Sequence, residues 1–139
     1  MTATIDTPAA MRPARTLANK VGIGISAVVA AFLVFDAAGK LAGLQPVKEG
    51  TVALGFPEYQ ALVMGIVLAA CLVVYLVPRT AVLGALGLTA YLGGAVTANM
   101  RIEAPLLTHV LFAVFFGVLM WIGLVLRRPE LLKVAGLAR

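Results

Sequence analysis

Four apolar runs dominate this sequence, and each is long enough to cross a bilayer as a helix. They cover about residues 21–44, 60–77, 81–100 and 105–126. A spanning helix needs about 20 mainly apolar residues, within a range of about 17–25. Isolated strands in lipid would leave backbone polar groups without partners, so these runs are expected to be helical. Composition agrees: the chain is 62% hydrophobic and 12% charged, about half the charged fraction usual for a soluble domain. A soluble fold could not hide that much apolar surface. The expected fold is all-α, an antiparallel four-helix membrane bundle.

Around the spans, residues 1–19 read as a flexible tail containing Pro8, Arg12, Pro13 and Arg15, and residues 132–139 as a basic tail. Residues 20–131 form the membrane domain. Leu44–Tyr59, with Pro46, Gly50, Gly55 and Pro57, reads as the longest loop. Val77–Thr80 and Arg101–Ala104 read as tight turns, with Thr80 a helix cap and Pro105 a first helical residue. Short turns make the second and third runs antiparallel neighbours, and likewise the third and fourth. A cleaved signal peptide is the rival reading of the first run, which follows a basic stretch and ends near the small residues Ala37 and Ala38; it would leave only three helices.

Four spans put both termini on one side, together with Arg12, Arg15, Lys20, Arg79, Arg127, Arg128, Lys133 and Arg139. The other side holds Lys40, Lys48 and Arg101. Basic residues stay cytoplasmic, so both termini are expected inside. The same rule accounts for the net charge of +5 without nucleic acid. Trp121, Arg127 and Arg128 read as anchors at the inner interface.

Polar groups gather at the opposite, outer ends of the helices. Asp36 and Lys40 are four residues apart on one helix and share a face. Asp36 lies ~22 Å along the helix from Val21, inside the hydrocarbon, where an unpaired charge costs about 2.5–3.5 kcal/mol on insertion scales. The pair is either a site or a structural pair with Lys40 reaching toward the headgroups. Asn99, Arg101 and Glu103 close the third run. Thr108 and His109 open the fourth. His109 is the only histidine, either hydrogen-bonded in the bundle or proton-active at ordinary pH. Asp36, Lys40, Asn99, Arg101, Glu103 and His109 are therefore the candidate site.

Other chemistry is missing from the sequence. Cys71 is the single cysteine, which excludes an intramolecular disulfide and a cysteine-rich metal site. There is no phosphate-binding loop, no catalytic constellation and no expected metal site. Gly39 and Gly43 in the first run, and Ala90, Gly94 and Ala98 in the third, are small residues at four-residue spacing, which lets helices approach closely in lipid.

Several stretches, in order, resemble the DoxX-like family of small four-helix bacterial membrane proteins. They are Phe35–Leu41, Leu54–Glu58, Tyr75–Ala85, Tyr91–Val96 and His109–Phe112. The resemblance spans about residues 20–131. It implies a bacterial plasma-membrane location and an association with membrane oxidoreductase systems, some using quinone. Two positions depart from the family pattern: Leu68 stands where a glutamate is common in the second helix, and Asn99 where a histidine is common in the third. Three functions follow as expectations. The first is a non-catalytic accessory subunit of a larger membrane complex or a homo-oligomer, or else a lipid- or quinone-binding protein. The second is a proton-coupled transporter or channel using Asp36 and Lys40. The third is an enzyme using His109 with Asp36 or Glu103.

Overall fold

The structure, a computed structural model, describes residues 16–138. The expected tail lies outside the described residues up to position 15; its last residues are already helical. Helix α1 spans Leu17–Leu41, α2 Gln45–Ala53, α3 Gln60–Leu76, α4 Ala81–Arg101, α5 Leu111–Arg127 and α6 Glu130–Val134. A single π-helical turn, Leu106–Val110, leads into α5. There is no strand among the described residues.

Helix α1 starts earlier than hydropathy indicates because Thr16 caps it, its hydroxyl accepting from the Asn19 N–H at 3.2 Å. It ends three residues earlier as well. Gly43 has φ +64°, its N–H bonds the Lys40 carbonyl, and the Leu44 N–H bonds that of Gly39. This reciprocal pair closes a helix end through a left-handed residue. Gly43 is thus a terminator rather than a helix-contact residue. Further expectations change. The 44–59 loop contains helix α2, begun by Pro46 in its first turn, where the missing N–H costs nothing. Thr80 precedes α4 but does not cap it by side chain; its hydroxyl donates backwards to the Val74 carbonyl at 2.8 Å. Pro105 precedes the π turn rather than opening a helix. In the C-terminal segment, α6 occupies Glu130–Val134.

Helix α1 packs on α3 and α5, α3 on α4, and α4 on α5, so the four long helices close a ring. Glycines set the closest approaches. A Cβ on Gly22 would meet the Gly123 carbonyl at 2.8 Å, joining α1 to α5; one on Gly65 would meet Lys40 Cβ at 2.8 Å, joining α3 to α1. One on Gly84 would lie 2.1 Å from the Tyr75 nitrogen, where α4 meets α3.

The ring is filled unevenly. Val29, Leu33, Leu68, Leu72, Tyr75, Leu88, Met120 and Leu124 make a continuous core in the half nearer the chain termini. Buried Tyr75 donates to Ser26 Oγ at 3.2 Å and accepts from Arg127 at 3.5 Å, and the Arg127 guanidinium lies 5.7 Å from the Tyr75 ring centre. Arg127 therefore ties α5 to α3. Trp121 bridges α5 to α4 by donating to Thr89 Oγ1 at 2.9 Å, and Arg128 reaches the Pro78 carbonyl.

The outside of the ring is apolar. Val28, Phe35, Ile66, Val73, Leu83, Leu86, Phe115 and Val118 are all exposed. Water would oppose so extensive an apolar face; lipid would not. Leu17–Leu41, Ala81–Arg101 and Leu106–Arg127 are each long and apolar enough to cross a membrane. Gln60–Leu76 is a shorter apolar helix of 17 residues.

Candidate functional site

The half of the ring nearer α2 is hollow. It holds a half-open cavity of about 960 Å³ bounded by α1, α2, α4, the π turn and the start of α5, with Met64 from α3. The reason is local: four of the α4 residues that line it, Ala90, Gly94, Ala95 and Ala98, are small, and a Cβ on Gly94 would meet nothing within 4 Å. The small residues at four-residue spacing therefore open space instead of drawing a neighbouring helix close.

Five of the six candidate residues line this cavity: Asp36, Lys40, Asn99, Glu103 and His109. Arg101 does not. Its guanidinium lies beside Gly55, 3.8 Å from where a Cβ would stand, because the helical turn from Asn99 to Arg101 carries it to another face. Asp36 and Lys40 form an ion pair within α1, and the Lys40 stem is held where α1 meets Gly65. Burial is partial, with side-chain exposures of 15% for Lys40 and 33% for Asp36. The charges thus neutralise one another at the cavity wall.

Asn99 turns its amide to its own helix, donating to the Ala95 carbonyl at 2.8 Å. Glu103 closes α4 by the same reciprocal pattern as Gly43: its N–H bonds the Met100 carbonyl and the Ala104 N–H bonds that of Asn99. Its φ is +53°, the only positive value at a non-glycine residue among those described. A side chain in that conformation costs about 1–2 kcal/mol, so a carboxylate stands at the cavity mouth where glycine would be locally easier. His109 sits in the π turn with its Nδ1 2.8 Å from Thr108 Oγ1. Such turns widen a helix by one residue and often occur at functional sites. Here the turn carries Thr108 and His109 to the cavity wall.

The deeper wall is aromatic. Phe32 lies 4.3 Å from Phe116 and 5.3 Å from Phe112 between ring centres, and Phe112 lies 4.7 Å from Phe116. Tyr91 joins them at the wall. The sequence carried a signal for this group, since Phe32, Asp36 and Lys40 repeat every four residues, as do Phe112 and Phe116. Leu68 is fully buried in the packed half. No cluster of three or more histidine, cysteine or acidic side chains suited to a metal ion occurs among the described residues. The single thiol, Cys71, packs beside the apolar core.

An all-helical chain with an apolar exterior and three helices able to span a bilayer is a membrane protein. It belongs to the DoxX-like family, whose sequence profile matches residues 24–123. No curated protein and no solved structure matches the chain significantly.

Proposed function

We propose that this protein binds an elongated apolar molecule with a polar head, a lipid or a quinone, within a four-helix bundle of the bacterial plasma membrane. In this reading α3 is the fourth span, at about 26 Å for its length, near the short end of the usual range. The termini face the cytoplasm, following the distribution of Lys and Arg, and the cavity opens toward the outer side. The observation that carries the reading is the cavity's composition. An aromatic wall of Phe32, Phe112 and Phe116 leads to a polar rim of Asp36, Lys40, Glu103 and His109. Small-molecule sites combine apolar walls with a few placed polar groups in this way. The absence of a catalytic set from the sequence favours an accessory subunit of a larger membrane complex, oxidoreductase-linked by family association. The ion pair within α1 leaves Asp36 already partnered, which weakens the proton-coupled transporter reading.

The test is extraction of bound small molecules from protein purified in mild detergent. One lipid or quinone per chain, surviving detergent exchange, is the expected result. Protein that carries no such molecule, and takes up none when lipid or ubiquinone is added, contradicts the proposal.

A further inference from the structure

We propose that α2 is a hinged lid on the cavity, held closed by the Lys48–Glu58 ion pair. The use of such a lid rests on the binding reading above; its motion does not.

Helix α2 sits between two glycines in left-handed backbone conformation, Gly43 at φ +64° and Gly55 at φ +85°. Both end a helix by the reciprocal pattern, since the Gly55 N–H bonds the Val52 carbonyl and the Phe56 N–H bonds that of Thr51. Glycine reaches these angles and leaves them with little steric penalty, so both connections can turn. Pro46 in the first turn favours helix between them, so the segment moves as a unit.

The inner face of α2 is Val47, Gly50 and Thr51, which line the cavity together with Leu54 just beyond the helix. Thr51 is only 4% exposed, and its hydroxyl donates to the Val47 carbonyl at 2.8 Å. The outer face carries Gln45, Lys48 and Glu49 beside exposed Val52, and Gln45 donates to Glu49 at 3.2 Å. No α2 residue belongs to the packed core, and α2 touches only α1 and α3 among the helices. The four-helix ring closes without it. What fastens its outer side is Lys48 Nζ to Glu58 Oε1 at 2.8 Å, with side chains 34% and 59% exposed. An exposed pair of this kind shifts an equilibrium by roughly 1.4- to five-fold. That is weak enough to release thermally and strong enough to bias the lid shut.

The motion is read with a Thr51→Cys variant in a Cys71→Ala background, as the rate of maleimide labelling. Glu58→Gln is expected to raise that rate roughly 1.4- to five-fold. The same substitution should leave labelling of Ser26→Cys, buried in the packed half, unchanged. Hydrogen exchange of the α2 amides in the otherwise natural sequence is the companion measurement. Glu58→Gln should speed it by the same factor, with the α3 amides unaffected. Equal rates with and without Glu58→Gln, or a parallel rise at Ser26→Cys and in α3, would overturn the lid. None of these readouts requires a ligand, so an empty cavity with a responsive Thr51→Cys would sink the binding reading and keep the lid. A bound molecule with an unresponsive Thr51→Cys would do the reverse.

Discussion

Gly84→Ala is expected to be the most damaging single methyl addition in this protein, costing about 3 kcal/mol or more. Overpacking a core typically costs about 1–3 kcal/mol, and here the added carbon would stand 2.1 Å from the nitrogen and 2.3 Å from the Cα of Tyr75. Those are backbone atoms, which no rotamer change can move aside. Relief requires α4 to separate from α3, which would also disturb the Tyr75 bonds to Ser26 and Arg127. Gly24→Ala is the control, because a Cβ there meets nothing within 4 Å and alanine in a helix is favoured by about 0.8–1.0 kcal/mol. Unfolding in detergent, followed by circular dichroism, should show a large loss for the first variant and none for the second.

The second large effect concerns the charge pair in α1. Lys40→Met removes the partner of Asp36, which lies about 7.5 Å inside the end of its helix. Leaving one carboxylate there is expected to cost at most about 2.5–3.5 kcal/mol, the value for a charge at the centre of a spanning helix. Adding Asp36→Asn should recover most of the loss, since removing both charges removes the need for either. The same unfolding measurement on the two single variants and the double variant gives the coupling directly. Additive losses would mean that the pair contributes nothing as a pair.

The spans were legible because hydrocarbon thickness and backbone satisfaction leave few alternatives to a long apolar helix. The Asp36–Lys40 pairing was legible because four-residue spacing alone brings the side chains together. The cavity was not. Ala90, Gly94 and Ala98 have the pattern that lets helices touch, and nothing local distinguishes a small residue beside a neighbour from one beside a void. That depends on which face of α4 meets α3, which Gly84 decides from two turns away. Helix α2 was hidden for another reason: Gln45, Pro46, Lys48, Glu49 and Gly50 are polar or turn-forming, and only Val47, Thr51 and Leu54 hold an inward stripe. Arg101 was misplaced by proximity in sequence, since two residues beyond Asn99 is more than half a turn around the helix.

Adjacent glycines offer the most direct test that the cavity is a binding site. Gly93 and Gly94 both have open space where a side chain would begin, but Gly93 faces the groove between α4 and α5, whereas Gly94 faces the cavity. Gly93→Leu and Gly94→Leu add the same atoms to the same helix one residue apart. The measurement is the amount of lipid or quinone carried per chain by each variant after purification in mild detergent. Gly93→Leu is expected to retain the bound molecule at the natural level and Gly94→Leu to lose it while remaining folded. Equal retention by both variants would contradict the binding reading.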